Sequence, residues 1–454
     1  IKNLSEQGAR HSCQIEVTEQ NFPMIDKIVH LARSAHKVIL SFPNHGDNFE
    51  KTAAPFHEIS DAMERARIHP MMFLQGMPMC FTKGNTTYAS TNHKSQKCIS
   101  CVHQGLCAGL TEKYLELFTD EFLRPEPDLP KEVAIEITEE CNLECNFCFK
   151  KNISYSKGNL TLDEFTQIVS RIPKGVDHIR ITGGEPLMHA EFEKMLKVCK
   201  DAGKKIWLNT NATLVNERNA EIIARHVENV LVPLVASDRE KEKESTGKDS
   251  YEARIKGILL LKKHGAKNVR CGTVATRQNI QNLEMIYSLA LNMGLSDWEV
   301  YRQMPTPDET EPTSSDDIHL MLKKLNNLNR IFNKKYKVVN ALPFCAVNHQ
   351  HITDLCAGAI ADDGHMRFVI SPDGKARPSY FLDVDVGDAF GQSVEEIWKS
   401  KFMKDLRNLE LVPEECRDCL HAVKCKGGSR FASKKSTGSY DGKDPLANFA
   451  NIMW

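Results

Sequence analysis

Cys141, Cys145 and Cys148 stand in the run ITEECNLECNFCFK, directly after an apolar, strand-like stretch. Three thiolates on one short loop can each hold one iron of a cubic four-iron, four-sulfur cluster, which leaves the fourth iron open to a small molecule. An open iron points to catalysis. Two other readings stand beside this one, a structural zinc site and three unrelated buried thiols. Zinc normally takes four protein ligands, often in C-x2-C pairs, and no fourth Cys or His follows Cys148 at short range. With 15 cysteines in the chain, chance spacing has to be weighed against an independent motif.

That motif is Gly183, Gly184, Glu185 and Pro186, which close the strand-like run HIRITGGEP. Two glycines after a strand let the backbone approach a ligand with no Cβ in the way, and a carbonyl or carboxylate there can accept from an ammonium group. Taken together, the C-x3-C-x2-C spacing, the aromatic Phe147 before the last cysteine and the GGEP segment resemble the radical S-adenosylmethionine superfamily. The resemblance implies that the cofactor's methionine amino and carboxylate groups occupy the open iron, and that Gly183, Gly184, Glu185 and Pro186 lie at its amino group.

These residues need a frame. From Lys131 to about Pro305, β-branched runs alternate with amphipathic segments, the signature of βαβ units in a parallel sheet. Six strands are expected: Val133 to Ile137, His178 to Thr182, Ile206 to Asn209, Val230 to Val235, Val269 to Ala275 and Trp298 to Arg302. Thr161 and Glu164 form a capping box for the first intervening helix, and Gly265 ends a later one. Six such units are similar to the partial (β/α)6 barrel of the superfamily. Ligands of parallel sheets bind at the carboxyl ends of strands, where Cys141 and Gly183 fall. The resemblance extends to Asn209, Thr210 and Asn211 after the third strand, with Ala212 where relatives have glycine, and to Thr276 and Asn279 beside the adenosyl group. One departure is Pro233, which stands where many relatives have a serine near the cofactor; Ser237 is the alternative after a local shift.

Two cysteine modules flank the barrel. KCISCVHQGLCAG holds Cys98, Cys101 and Cys107, and ECRDCLHAVKCKGG holds Cys416, Cys419 and Cys425, both in the pattern C-x2-C-x5-C-x-G. Upstream candidates for a fourth ligand are Cys80 for the first, and Cys356 or Cys345 for the second. Four thiolates saturate a cubane and would make closed clusters, while a four-cysteine zinc site is the competing reading. The second module resembles a SPASM domain, an auxiliary-cluster extension. The resemblance includes FVISPDGKARPSYF as strand, turn and strand, and VEEIWKSKFMKDLR as a helix. Full SPASM domains carry cysteines where this chain has Ser379 and Ser429, which implies one auxiliary cluster there instead of two.

The first 130 residues suggest helix MIDKIVHLARSAH, strand KVILSF and helix AAPFHEISDAMERAR ahead of Cys80, as if the tail of a related enzyme preceded this one. The stretch Met71 to Met79 reads as packing. His45, His57 and His69 read as ordinary polar residues, any one of which could replace a cysteine on the first cluster. Cys13, Cys199 and Cys271 have no partner spacing. The expected domains are an α/β extension with an iron–sulfur module over 1–130, the barrel over 131–310 and the SPASM-like domain over 311–454.

Composition narrows the classes. With 59 Lys and Arg against 60 Asp and Glu, nothing favours nucleic acid or an anionic membrane, and the run DREKEKE from Asp238 to Glu244 reads as a solvated face. No stretch reaches the length of a spanning helix, the start has no signal-peptide character, and the clustered cysteines suit a reducing compartment, so a cytoplasmic protein is expected. The resemblance implies an oxygen-sensitive enzyme that cleaves S-adenosylmethionine to a 5′-deoxyadenosyl radical and abstracts a substrate hydrogen, served by a flavodoxin or ferredoxin-type electron donor. SPASM-like relatives favour a peptide or protein substrate. A small metabolite, cofactor precursor or lipid is the alternative, and a non-catalytic iron–sulfur electron carrier is the competitor of another class. Arg302 and Gln303, at the end of the sixth strand, are the guesses for catalytic residues.

Overall fold

Apolar and polar side chains alternate along the strands of the middle region, and this period of two decides which face packs and which face stays functional. In the computed structural model the described residues are 12–16, 24, 27, 37–41, 72–75, 79, 94–107, 109–110, 115, 120, 123, 125–307, 312–347, 352–359 and 364–451. Six strands, β4 (Glu132–Glu136), β5 (His178–Thr182), β6 (Lys205–Asn209), β7 (Val227–Pro233), β8 (Val269–Ala275) and β9 (Trp298–Arg302), pair in sequence order and in parallel. Their boundaries agree with the expected strands to within a few residues.

The outward residues Val133, Ile135, Ile179, Ile181, Ile206, Leu208, Val230, Val232 and Val300 join one core with the covering helices. Those helices are α1 (Leu162–Ser170), α2 (Phe192–Asp201), α3 (Glu217–His226), α4 (Arg239–Thr246), α5 (Tyr251–Lys263), α6 (Leu283–Asn292) and α7 (Ser315–Phe332). The Thr161 and Glu164 capping box forms as expected, and Gly265 follows α5 at φ 81°.

The sheet does not stop at β9 or at residue 310. Strand β10 (Arg367–Ile370) pairs in parallel with β4, and the hairpin partners β11 (Lys375–Arg377) and β12 (Gly387–Asp388) extend the sheet to nine strands. The expected strand–turn–strand is therefore present, with Gly374 at φ 83° in its turn, but it belongs to the sheet of the barrel. The single helix expected over VEEIWKSKFMKDLR is two, α8 (Val394–Trp398) and α9 (Lys401–Arg407), because Ser400 lies in extended conformation between them. Short helices α10 (Glu414–Arg417) and α11 (Ala422–Cys425) carry the last cysteines, and α12 (Arg430–Thr437) follows.

Near the amino end, β1 (Ser12–Glu16), β2 (Lys37–Ser41) and β3 (Met72–Gln75) form a separate parallel sheet. The expected strand KVILSF is β2. The Met-rich stretch read as packing contains β3, and β1 was not anticipated. Apart from Met24 and Lys27, the two helices expected around β2 lie outside the described residues, as do Cys80, His45, His57 and His69. Among the described residues no helix is long and apolar enough to cross a membrane.

Candidate active site

The inward residues of the barrel strands, polar on β4 and β5 and in part apolar on β7 and β8, surround a cavity of about 1110 Å³. Pockets for one small ligand commonly run to roughly 300–1,000 Å³, so this space suits a cofactor and a substrate together. Cys141, Cys145, Cys148 and Phe147 line one part of it, with Gly183, Gly184, Asn209, Thr210 and Asn211 beside them.

The glycines answer to the cysteine loop. A Cβ on Gly183, which lies at φ 142°, would stand 2.3 Å from the Thr138 carbonyl oxygen, and one on Gly184 would stand 2.0 Å from that of Glu140. The Gly184 and Glu185 amides donate to those same two carbonyls at 2.7 Å each. The GGEP turn is thus stitched against the stem of the cysteine loop, a reason for two glycines that the sequence reading did not identify.

Glu185 is fully buried and its carboxylate accepts from Thr210 Oγ1 at 2.7 Å, the Asn211 amide at 2.7 Å and the Leu187 amide at 3.1 Å. Burial pushes its carboxyl above the usual range, against these bonds. Glu185 and Pro186 are therefore latches behind the wall, and Gly183 and Gly184 are the cavity face of the motif. Asn211 Nδ2 donates to Asn142 Oδ1 at 2.8 Å and lies 4.0 Å from Cys141 Sγ. Ala212 takes φ 62°, the left-handed conformation that glycine would adopt without strain.

The loop is held from its other side by an element read as solvated. The Glu144 and Asn146 amides donate to the carbonyls of Thr246 and Ser245, at the end of α4, at 2.9 and 3.0 Å. On α4, Glu242 is fully buried and pairs with Arg254 of α5 at 2.7 Å. Arg254 also donates to the Pro233 carbonyl at 2.6 Å and lines the cavity. The DREKEKE run is thus a docking helix whose third turnward acid faces inward. Arg254 escaped the sequence reading, although charged residues spaced i, i+3 from apolar helix positions were a legible hint.

Donor chemistry fits the cluster. Burial pushes all three thiols up, Cys145 to about 12; neighbouring thiols add to the rise at Cys145 and Cys148, and Glu185 adds to it at Cys141. Bare thiolates would be costly there, and a bound cation would reverse that balance. Among the described residues no three His, Cys, Asp or Glu side chains converge as they would on a single ion.

At the amino ends of the strands the cavity wall is charged. Arg180 Nε and Nη2 donate to the two oxygens of Glu132 at 2.9 Å each, and Arg367 Nη1 reaches the same carboxylate at 2.6 Å. Burial would raise the Glu132 carboxyl, but Arg367 and Arg180 hold it well below the usual carboxylate range. Trp207 lies between two guanidiniums, Arg180 at 4.7 Å and Arg270 at 5.5 Å from its ring. Arg270 pairs with Glu299, which also accepts from Tyr301. Arg180, Arg270 and Arg367 thus share this end of the cavity with Glu132 and Glu299. Tyr380, on the same wall, has a buried hydroxyl with no partner among the described residues, and burial pushes it up to about 12.

The remaining candidates divide. Arg302 lines the cavity, but its guanidinium is taken by the buried Asp444 at 2.8 and 3.1 Å, so it ties β9 to the carboxy-terminal extension. Gln303 and Thr276 do not line the cavity; the Thr276 amide donates to Asn279 Oδ1 at 2.9 Å.

Cys345, Cys416, Cys419 and Cys425 line one small pocket; burial pushes the thiols of Cys345, Cys416 and Cys425 up, and neighbouring thiols add to the rise. Cys356 is buried elsewhere, with only Lys337 acting on its thiol. Ser429 caps α12 through the Ala432 amide, and Ser379 accepts from the Phe381 and Leu382 amides, so both serines have structural work. Cys98, Cys101 and Cys107 line a third pocket. Cys199 and Cys271 are isolated and buried.

A family model of the radical SAM superfamily matches residues 135–290, and one of an iron–sulfur cluster-binding domain, SPASM, matches residues 362–420. An AdoMet-dependent heme synthase of Oleidesulfovibrio alaskensis is 25% identical over 344 residues, 70% of this chain and 87% of that protein. A probable GTP 3',8-cyclase of Sulfurisphaera tokodaii is 26% identical over 177 residues, 38% of this chain and 56% of that protein. Among solved structures, Streptococcus suis SuiB bound to precursor peptide SuiA superposes with TM-score 0.58 at 18% identity, over 71% of this chain and 76% of SuiB. The enzyme anSMEcpe with bound AdoMet gives TM-score 0.57 at 18% identity, over 69% of this chain and 93% of its own. These likenesses establish the fold.

Proposed function

We propose that this chain, a radical S-adenosylmethionine enzyme with a SPASM extension, takes a hydrogen atom from a C–H bond of a carboxylate-bearing substrate held at the charged end of its barrel. The observation that carries the reading is the cavity itself, which runs from three thiols at the carboxyl ends of the strands to Arg180, Arg270 and Arg367 at the other. When bound, S-adenosylmethionine on a 4Fe–4S cluster supplies a 5′-deoxyadenosyl radical.

Cys141, Cys145 and Cys148 would hold the cluster. Gly183, Gly184, Asn209, Asn211 and Arg254 would hold the cofactor, and Arg254, braced by Glu242, suits its carboxylate. Glu132 and Glu299 fix the arginines in place before substrate arrives, so little ordering remains to be done on binding. The Tyr380 hydroxyl is a free polar contact for the substrate. Phe149, Tyr380 and Phe381 pack together on the wall and keep water from the reacting region. Cys345, Cys416, Cys419 and Cys425 would hold the auxiliary cluster, and a low-potential flavodoxin or ferredoxin-type protein in a reducing cytoplasm would supply electrons.

A peptide or protein is the first reading of the substrate, supported by kinship of fold with SuiB, whose structure carries a precursor peptide. A small carboxylate-bearing metabolite or cofactor precursor is the second, favoured by the guanidiniums of Arg180, Arg270 and Arg367 on the cavity wall and by sequence likeness to heme synthases over most of their length. The test is anaerobic formation of 5′-deoxyadenosine with dithionite, across acidic peptides and small polycarboxylates. The expected result is stimulation by one class, with Arg367→Met raising KM for that substrate at least tenfold. Equal stimulation by a neutral analogue, or an unchanged KM, would overturn the carboxylate reading.

A further inference from the structure

The two flanking cysteine modules share more than a spacing. Both read C-x2-C-x-H-x3-C-x-G, over 98–109 and 416–427. Their backbones fold alike. The Cys101 amide donates to the Cys98 carbonyl at 3.1 Å and the Cys419 amide to that of Cys416 at 3.2 Å. The Cys107 amide donates to the His103 carbonyl at 2.9 Å and the Cys425 amide to that of His421 at 2.7 Å.

The likeness continues across a chain break in each module. The last thiol of each triplet accepts an amide from a distant segment: Met79 to Cys107 Sγ at 3.3 Å, and Phe344 to Cys425 Sγ at 3.3 Å. In the second module the residue after Phe344 is Cys345, which lines the pocket with its three partners. In the first, the residue after Met79 is Cys80.

The modules also touch. Met79, Leu106, Leu409, Val412, Ala422 and Val423 form one apolar wall, with Cys416 in it and Cys107 and Cys419 packed on it. Gly105 lies so near Asn408 that a Cβ would come within 2.1 Å of its Oδ1. The family matches cover 135–290 and 362–420, so neither reaches the first module.

We propose that Cys98, Cys101 and Cys107 hold a second 4Fe–4S cluster, paired across this wall with the one at Cys345, Cys416, Cys419 and Cys425. The pair exchanges single electrons: one site is oxidised as the other is reduced, no bond or proton changes hands, and a low-potential reductant such as dithionite loads them. This rests on the reading of the carboxy-terminal site as a cluster site, and not on the substrate or on cleavage of the cofactor.

The experiment uses full-length protein purified and reconstituted anaerobically. Wild type should hold about 12 irons per chain, and Cys98→Ala/Cys101→Ala/Cys107→Ala about 8, with little zinc in either. In Cys141→Ala/Cys145→Ala/Cys148→Ala protein reduced with dithionite, the electron paramagnetic resonance spectrum should show spin coupling between two clusters. Adding Cys98→Ala/Cys101→Ala/Cys107→Ala should collapse it to one uncoupled signal. Because the triple variant could misfold, single Cys107→Ser, which keeps the accepting atom for the Met79 amide, should show the same loss of coupling in protein that elutes as wild type. Unchanged iron, stoichiometric zinc in the first module, or two additive uncoupled signals would each overturn the proposal. Loss of 5′-deoxyadenosine formation with both flanking signals intact would instead count against the barrel site.

Discussion

The thiol triplet of the barrel includes the exposed Cys141, the thiol quartet of the carboxy-terminal module includes the buried Cys416 and Cys425, and the two face different things. The triplet opens on a cavity of about 1110 Å³ with a charged far end, and the quartet closes on a small pocket beside an apolar wall. Ligand number and surroundings agree in each case: three donors where something must bind, four where nothing should. Access from the cavity is what separates the two sites.

The largest expected effect comes from removing the open site. Changing Cys141, Cys145 and Cys148 together to Ala should abolish 5′-deoxyadenosine formation and remove about four irons, leaving the flanking signals in place. An iron count that does not fall would break the comparison at its root. Next, Cys345→Ala should weaken or empty the closed site, with a loss of up to about four irons, whereas Cys356→Ala should lose none. Equal iron loss in both would mean that Cys356 shares the site.

The braces around the open site should respond on a stability scale. Glu242→Ala strands the buried Arg254 and should cost about 3–5 kcal/mol in chemical unfolding, with weaker cofactor binding. A smaller, pH-dependent effect is expected for Glu132→Gln, roughly 2 kcal/mol at neutral pH. Because Arg367 and Arg180 hold the folded carboxyl below its unfolded value near 4.3, its contribution is complete above that pH and fades as the pH falls through the folded value. The stability gap between wild type and variant, followed by denaturant titration, should therefore shrink below about pH 4. A constant gap would mean that Glu132 acts through packing and not charge.

Much of this was legible in the sequence. The βα rhythm located all six barrel strands, and the spacing of Cys141, Cys145 and Cys148 and the GGEP run marked the end of the barrel where the cavity opens. The charged end was written in the same rhythm: EVAIE, HIRIT, KIWLN and WEVYR alternate polar with apolar, which means an inward face of Glu132, Arg180, Trp207 and Glu299. Reading these as strand signals alone passed over what the polar face encloses. Other features had no local signature. Glu242 sits among charges that are mostly exposed, and only its partner on another helix makes it a core residue. The choice of Cys345 over Cys356 depends on where a loop folds back to α11, and the pairing of β10 with β4 on a contact between distant segments.

That last pairing sets an order of events in biogenesis. Arg367 meets Glu132 across 235 residues of sequence, so the edge of β4 stays bare until the carboxy-terminal segment has left the ribosome. At about 5–20 residues per second, that interval is on the order of ten to fifty seconds. During it, the nascent barrel presents an unpaired strand beside its cysteine loop, exposed to mispairing until β10 seals the sheet.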